Sequence, residues 1–304
     1  MISDSTSRRD FISRAALAGI AASLSLPAAA AETVATKKYK LITFSKPFRT
    51  LKAKETADLV AEVGWDGVEM PVRAKDAQFT PAEADDQLPK FVEALRASGG
   101  REVSIVTTDI TEVNASAEKL LQLTSKLGIK RYRLGFLRYA NSKSIPQQLA
   151  EFAPKLRDLA ALNKELGLRA GFQNHSGNGY VGAPVWDVWT MIRDLDPKQM
   201  GFCFDIGHAT LEAGQSWPTN LRLAEPFLTA VFVKDFYWNK TDKGWAPKWC
   251  PLGEGSISSK FFTALKASSF DGPICQHNEY DMGNDEMSFY KKDFATLKRW
   301  LAAA

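Results

Sequence analysis

The segment GFCFDIGHAT, residues 201–210, places a carboxylate and an imidazole at the end of a predicted buried strand. Asp205 closes an apolar run, and His208 follows it after two residues. Carboxylate and imidazole groups are ligands for divalent metals, and they are also common general acids and bases. This pair therefore predicts either a metal site or acid–base chemistry, and the other members of the site must come from other strands.

The chain contains three histidines, and each of them lies near the end of a predicted strand. His175 ends the fifth strand, His208 follows the sixth, and His277 lies near the end of the eighth. Histidines with unrelated structural roles would not be expected to collect at strand ends. We therefore expect all three to belong to one site.

The alternation of side chains along a strand indicates further members of that site, because residues two apart share a face. If Asp205 points into the mouth of the fold, the same rule brings in polar residues from strands two, five, seven and eight. Acid–base catalysis is predicted for the strongest candidates among them, which are His277, Glu279, Lys234, His175 and His208. Glu69 shares the predicted face and is a further acid–base candidate.

Short apolar runs alternate eight times with amphipathic helical stretches between residues 38 and 304. Gly64, Gly128 and Gly167 stand where three of the predicted helices should end. Eight such units predict a single (β/α)8 TIM barrel, an α/β fold whose chemistry lies at the carboxyl ends of the strands. Helices are predicted near residues 51–63, 81–98, 116–127, 145–166, 184–195, 219–226, 257–268 and 289–302.

A doubly wound open sheet is the alternative fold for such a pattern. That fold usually has a glycine-rich phosphate-binding turn after its first strand. The corresponding turn here reads SKPFRT and contains no glycine. The barrel is therefore favoured, and no nucleotide cofactor is expected.

Residues 1–31 have the order of a secretory signal, with a positive start, an apolar segment and a run of small residues. Arg8 and Arg9 precede Phe11 and the segment AALAGIAASLSL, a pattern that resembles the twin-arginine signal. That apolar segment is too short to span a bilayer. The sequence predicts cleavage near Ala30 or Ala31 and a barrel, residues 38–304, in the periplasm or otherwise exported.

Composition excludes several classes of protein. A net charge of +4 provides no basic field for nucleic acid. After the signal, no segment is long and apolar enough to cross a membrane. Cys203, Cys250 and Cys275 make no disulfide framework, and buried thiols are expected. Nothing in the sequence indicates an oligomeric state.

The ordered motifs GVE, FQNHSG, FDIGHA, VFVKDF, PLGEGSI and QHNEY resemble those of the xylose isomerase-like TIM barrels over essentially the whole mature chain. That family includes sugar epimerases, hydroxypyruvate isomerase, inosose dehydratase and AP endonucleases. The resemblance implies a small carbohydrate substrate, proton transfer next to a carbonyl and a divalent metal such as Mn, Zn, Mg or Fe. An AP endonuclease is disfavoured, because its trinuclear zinc cluster needs many histidines.

The metal set that the resemblance implies is incomplete. The family ligands are Glu, Asp, His and Glu on strands five to eight, and Asp205 keeps the second of them. Gln173 and Phe232 stand at the first and third positions, and His277 stands at the fourth, or Glu279 if the register shifts by two. Two outcomes stay open: a barrel without the usual metal, or a rearranged metal site. The rearranged set is Asp205, His208, His277 and Glu279, with or without His175.

Gln173 also bears on the reaction, because a neutral amide is not a general base. A two-base epimerisation of the family type is therefore in doubt. An exported isomerase or epimerase acting on a sugar or keto-sugar remains the first prediction. A lyase or hydrolase of oxidised (3-keto) glycosides, or a non-catalytic sugar-binding barrel, remains the alternative.

Aromatic residues in and after strand seven favour a carbohydrate-sized ligand, because aromatic faces pack against the C–H surfaces of sugars. Several of them are predicted to lie in a long loop at the barrel mouth. The predicted substrate-binding residues are Glu69, Gln173, Asn174, Trp238, Trp245 and Trp249.

Overall fold

The computed structural model describes residues 39–304, and the predicted signal, residues 1–31, lies outside them. Eight strands of the described chain form the barrel: β1 (Leu41–Phe44), β2 (Gly67–Pro71), β3 (Glu102–Thr107), β4 (Arg131–Arg133), β5 (Arg169–Gln173), β6 (Met200–Asp205), β7 (Leu228–Val233) and β10 (Ile274–Gln276). All neighbouring pairs are parallel, and the order β1-β10-β7-β6-β5-β4-β3-β2 closes on itself. The predicted (β/α)8 barrel is confirmed, and closure excludes the open sheet. The exact start of the barrel domain stays a prediction.

The helices lie close to their predicted positions. They are α1 (Ala53–Val63), α2 (Ala84–Ala97), α3 (Ala115–Lys126), α4 (Ile145–Leu166), α5 (Val185–Ile192), α6 (Ile206–Ala213), α7 (Trp217–Ala224), α8 (Lys260–Ala267) and α9 (Glu286–Ala303). Gly64 and Gly167 cap α1 and α4 with positive φ angles, as a residue without Cβ can do cheaply. In the part of the chain that the structure describes, no helix is long and apolar enough to cross a membrane.

The sixth unit differs from the prediction, which placed one short helix near 219–226. Two helices follow β6, and the first of them, α6, starts directly at the end of the strand. Asp205 is the N-cap of α6, and its Oδ1 accepts a hydrogen bond from the backbone N–H of His208 at 3.0 Å. The carboxylate that marks the site thus also starts the helix that carries His208.

The aromatic segment after strand seven is a regular hairpin, and its prediction as a loop was wrong. The strand ends at Val233, and β8 (Asp235–Thr241) pairs antiparallel with β9 (Gly244–Cys250). Asp235 fixes the base of this hairpin, since its carboxylate accepts from the backbone N–H groups of Gly253, Gly255 and Ile257, each at 3.0 Å. The motif PLGEGSI is therefore a loop folded around one buried carboxylate.

The barrel interior below the mouth is filled by a small apolar cluster, separate from the larger core between strands and helices. All of its members come from barrel strands: Ile42, Phe44, Ile105, Cys203, Ala230, Phe232 and Cys275. The three cysteines are free and buried, as expected. A packed interior of this kind supports the polar groups above it on rigid strands.

We predict that Gly207→Ala destabilises the protein by about 1–3 kcal/mol, the usual cost of overpacking. A Cβ at position 207 would lie 2.7 Å from the backbone oxygen of Lys234 and 2.9 Å from its Cγ. The free energy of unfolding from urea titrations measures the effect. Ala302→Ser, which adds one heavy atom at an exposed end of α9, is the control. Equal stability of both variants would show that Lys234 shifts to accommodate the extra methyl group.

Candidate active site

A cavity of about 620 Å³ lies at the carboxyl ends of the strands, where the chemistry of a barrel is expected. Residues from the ends of β5 and β7, from α6, from the hairpin and from the segment after β10 line it. Among the predicted site residues these are His175, His208, Lys234, Trp249 and Glu279. Asp205 and His277 are buried against this group, so the structure brings all of the predicted catalytic residues together.

Lys234 is buried at the floor of the cavity between two carboxylates. Its Nζ lies 3.3 Å from Asp205 Oδ2 and 2.9 Å from Glu279 Oε2. Burial disfavours the ammonium form, but these two negative charges outweigh it and raise the pKa of Lys234. The ammonium also lies 4.7 Å from the ring centre of Trp249. The lysine is therefore a fixed positive charge that faces the cavity.

Asp205 is held as a carboxylate beneath the cavity. Its Oδ2 accepts a 2.8 Å hydrogen bond from Gln173 Nε2 in addition to the Lys234 contact. Burial alone would raise the pKa of Asp205, but Lys234, His208 and His277 lower it to about 2. The group is thus ionised at every physiological pH and does not serve as a proton donor.

His277 is sandwiched between Phe44 and Phe232, with ring centres 4.7 and 4.5 Å away. Its Nε2 donates to Glu69 Oε2 at 2.8 Å, and its Nδ1 lies 3.6 Å from Glu279 Oε2. Burial opposes a charged ring, but Glu69 and then Glu279 raise the pKa of His277. Two carboxylates therefore flank this ring and favour its imidazolium form.

Glu69 lies below the cavity and is enclosed by donors. Besides His277 it accepts from the Thr107 hydroxyl and from Cys275 Sγ, the latter at 3.3 Å. Arg133 Nε lies 3.4 Å from its Oε1. Burial would raise the pKa of Glu69, but the charges of His277 and Arg133 lower it. Glu69 therefore anchors His277 from behind.

Glu279 is the carboxylate at the centre of the site. It contacts Lys234 and His277 on one side and Lys46 Nζ, at 3.0 Å, on the other. Although it is largely buried, the lysine and imidazolium charges hold the pKa of Glu279 well below its usual range. Glu279 keeps 21% of its side chain exposed, so a ligand in the cavity can reach it.

His175 and His208 are neutral imidazoles on the β5–β6 side of the cavity, with ring centres 4.0 Å apart. His175 Nδ1 donates to the carbonyl of Ser176 at 2.9 Å, which leaves Nε2 with a free lone pair. Burial and then the Lys234 charge lower the pKa of His175 to about 4, and the same causes hold the pKa of His208 well below its usual value. The Ser176 hydroxyl lies 2.7 Å from His208 Nδ1.

Five predicted substrate-binding residues lie outside the cavity lining, and their role in binding stays a prediction. Glu69 and Gln173 are buried beneath it, and the Gln173 carbonyl oxygen accepts from Arg133. Asn174 exchanges two hydrogen bonds with the backbone of Asp205, at 2.8 and 2.9 Å. Their polar atoms are used to position other residues. Trp238 and Trp245 project from the hairpin with 48% and 66% of their surface exposed.

The sequence analysis missed Arg133, Lys46 and Ser176. Arg133 is nearly fully buried and links Gln173 to Glu69. Strand alternation could have found it, because Arg131 and Arg133 lie two apart in the run RYRLGF. No comparable pattern marks Lys46, which begins a short 3₁₀ helix after β1, or Ser176, which follows β5.

The residues do not form the metal site that the family resemblance implies. The ammonium of Lys234 lies between Asp205 and Glu279, two members of the rearranged set. Within residues 39–304, a different group has ligand atoms all within 4.8 Å of one another, namely Glu69, Cys275 and His277. Burial and the Glu69 charge raise the pKa of the Cys275 thiol well above its usual value, which disfavours a thiolate ligand there.

Comparison with known proteins identifies the family of this barrel. The model of the xylose isomerase-like TIM barrels matches residues 57–300. The chain belongs to this family. A search of curated proteins finds no significant match. The xylose isomerase-like fold of the chain is also found in solved structures.

In three of these solved structures, the match with this chain covers nearly the whole of the solved protein. The Escherichia coli 3-keto-D-glucoside 4-epimerase YcjR shares 15% identity at a TM-score of 0.67, over 88% of this chain and 100% of that one. The probable 3-DHS dehydratase AsbF of Bacillus anthracis shares 12% at 0.66, over 85% and 98%. A xylose isomerase-like protein of Mycobacterium smegmatis, solved with magnesium, shares 17% at 0.64, over 88% and 97%. At these identities the likeness is one of fold.

We predict that at pH 7 His277 is charged while His175 and His208 are neutral. Glu69→Gln removes the negative charge behind His277, so the midpoint of its deprotonation should move to lower pH by about 1–3 units. With three histidines in the chain, ¹⁵N-histidine NMR resolves each titration. Glu151→Gln, on the outer helix α4, is the control. A His277 that is neutral at pH 7 in the wild type would refute the assignment.

Proposed function

We propose that this protein is an exported enzyme that removes the proton next to the carbonyl of a keto-sugar, as an isomerase or epimerase does. The observation that carries the proposal is the cavity floor, where an ammonium, a carboxylate and two neutral imidazoles face one space. They belong to Lys234, Glu279, His175 and His208. Such a set can bind a carbonyl oxygen and move a proton beside it.

The substrate oxygen is the group that Lys234 recognises. A C–H proton beside a carbonyl is acidified when positive charge stabilises the enolate oxygen that forms. The ammonium is buried and already fixed by Asp205 and Glu279, so it needs no reorganisation during the reaction. A carbonyl oxygen near Nζ therefore gains most of its stabilisation as it becomes an enolate.

Glu279 is the base in this proposal. Its carboxylate contacts Lys234, the group that binds the substrate oxygen. On its other side it contacts His277, which stays positively charged while the carboxylate takes up the proton. The low pKa of Glu279 limits its strength as a base. The enolate that forms beside it is negatively charged, and this charge raises the pKa of the carboxyl group during the reaction. Protonation of the same carbon from its opposite face, by solvent or by a second acid, gives an epimer. Return of the proton to the former carbonyl carbon gives an isomer, and the hydroxyl proton of the deprotonated carbon then passes to the former carbonyl oxygen.

The size and lining of the cavity suit a sugar. Its volume of about 620 Å³ falls within the roughly 300–1,000 Å³ of small-molecule sites. Trp249 and Tyr280 supply aromatic surface at its wall, and Lys46, Arg49 and Asn278 supply polar groups. The solved relatives include L-ribulose 3-epimerase and D-psicose 3-epimerase, which support a keto-sugar as the substrate class.

A lyase or hydrolase acting on 3-keto glycosides is the second candidate, and one observation favours it. Among the predicted site residues, Glu279 is the one carboxylate that lines this cavity, since Glu69 and Asp205 are buried beneath the floor. One base is sufficient for β-elimination, in which the leaving group departs from the carbon next to the deprotonated one. A two-base epimerisation needs a second base on the opposite face of the sugar. His175 and His208 then lie where a leaving group can be assisted. The fold likeness to a probable dehydratase is consistent with this reaction.

We predict that the protein exchanges the α-proton of a ketohexose or a 3-keto-glucoside with solvent deuterium, measured by NMR in D₂O. Lys234→Met should reduce exchange by about 10²–10³-fold, the usual cost of removing one oxyanion donor. Glu279→Gln should reduce it by about 10²–10⁴-fold, as for a general base.

Lys240→Met, at an exposed position of the hairpin, is the matched control and should exchange at the wild-type rate. Release of the aglycone together with exchange would identify the lyase or hydrolase instead of the epimerase. Absence of exchange with every keto-sugar, together with binding of the same sugars, would leave the non-catalytic sugar-binding barrel.

Export is proposed from the first 31 residues. We predict that replacing Arg8 and Arg9 by lysine keeps the positive charge but leaves the precursor in the cytoplasm, because the twin-arginine route reads the arginine pair. Fractionation and immunoblotting measure the exported product. Arg14→Lys, outside the arginine pair, is the control and should be exported like the wild type. Unchanged export of the Arg8, Arg9 variant would refute the proposal.

A further inference from the structure

We infer that the ammonium of Lys234 takes the position of the divalent cation in this barrel, so that the protein works without a bound metal. The inference deepens the proposed function, because it names the electrophile of the same site. It also stands on contacts that can be tested without turnover. Three features of the structure support it: the place of the ammonium, the balance of charge, and the use of the lone pairs that a metal would need.

The ammonium lies where a cation shared by Asp205 and Glu279 would have to bind. Nζ lies 3.3 Å from Asp205 Oδ2 and 2.9 Å from Glu279 Oε2. Because carboxylate oxygens lie about 2.0–2.6 Å from divalent cations, an ion on Asp205 Oδ2 would lie within about 6 Å of the ammonium. Such an ion would be repelled in a buried site, where screening by water and salt is weak.

The balance of charge is already met by the protein itself. Three carboxylates meet in this part of the barrel, and each contacts at least one cationic side chain. The carboxylates are Glu69, Asp205 and Glu279, and the lysine and arginine partners are Lys46, Arg133 and Lys234. With His277 charged, the group already carries one net positive charge, and a divalent ion would add two more. Buried charge without a counter-charge is strongly disfavoured.

The lone pairs that the family uses for metal binding are engaged or missing. Gln173 accepts from Arg133 with its carbonyl oxygen and donates to Asp205 with its amide. Phe232 has no ligand atom, and its ring packs on His277. His277 Nε2 carries a proton, because it donates to the carboxylate of Glu69. Each residue that replaces an implied metal ligand thus stabilises the arrangement around Lys234.

The group Glu69, Cys275 and His277 is the competing metal site. Arg133 Nε lies 3.4 Å from Glu69, and the Cys275 thiol donates to the same carboxylate. A metal there would have to displace the His277 proton and approach the guanidinium. It would also lie beneath the cavity floor, since none of the three residues lines the cavity.

The first measurement is the metal content of the full chain, purified without metal-chelate chromatography, by inductively coupled plasma mass spectrometry. We expect far less than one Mn, Zn, Fe or Mg per chain, and a melting temperature that neither EDTA nor millimolar Mn²⁺ changes specifically. Stoichiometric metal that resists mild chelation would overturn the inference. Loss of that metal in Cys275→Ala would then assign it to the competing group.

The second measurement isolates the lysine. The double variant Gln173→Glu, Phe232→His restores the ligands that the resemblance implies and keeps Lys234. The triple variant adds Lys234→Ala. We expect Mn²⁺ to raise the melting temperature of the triple variant in a concentration-dependent way, and that of the double variant much less, because a ligand stabilises the state it binds. Lys46→Met, added to the double variant in place of Lys234→Ala, is the matched control, since Lys46 contacts Glu279 but not Asp205.

Equal Mn²⁺ binding by the double and triple variants would also overturn the inference, because the lysine would then not occupy the cation position. If the triple variant does not fold, the wild-type metal content still decides. A protein that lacks metal and also lacks α-proton exchange refutes the proposed reaction and leaves this inference intact. A protein that exchanges protons only after Mn²⁺ is added refutes the inference and leaves the reaction intact.

Discussion

A lysine ammonium buried between two carboxylates is the interaction on which the rest of this site depends. Removing charged groups from water is costly unless they are paired and hydrogen-bonded. Lys234 meets that condition through Asp205 and Glu279, and each carboxylate has further donors of its own. The pairing extends through His277 to Glu69 and Arg133. Charge compensation thus explains why so many ionised groups lie together at the mouth of one barrel.

Two aspartates at strand ends, Asp205 and Asp235, also organise the backbone around the site. Asp205 ends β6, caps α6 and orients Lys234, so the position of His208 is tied to that of the ammonium. Asp235, one residue beyond Lys234, gathers the loop Gly253–Ile257 and fixes the base of the aromatic hairpin. The carboxylate groups therefore connect local folding with the shape of the cavity, and the rigid strands beneath them keep the geometry defined.

Membership of the xylose isomerase-like family establishes the barrel and the end at which a site forms, but it does not establish the reaction. Solved barrels of the same shape are named as epimerases and as a dehydratase. In this chain, Gln173, Phe232 and His277 stand where the family resemblance implies metal ligands, and all three pack or bond within the charge network. Function must therefore be argued from these side chains.

The sequence alone determined the barrel, because the alternation of strand and helix patterns is a local signal repeated eight times, and glycines mark three of the predicted helix ends. It also determined which strand ends carry His175, Asp205, Lys234 and His277, since alternation assigns faces without coordinates. Only the tertiary structure decided how these groups pair. Arg133 lies 64 residues from Glu69 along the chain, and the contact of Lys234 with Glu279 spans 45. Such pairings depend on barrel closure and side-chain reach, so local patterns could not predict that Trp249 lines the cavity while Trp245 faces solvent.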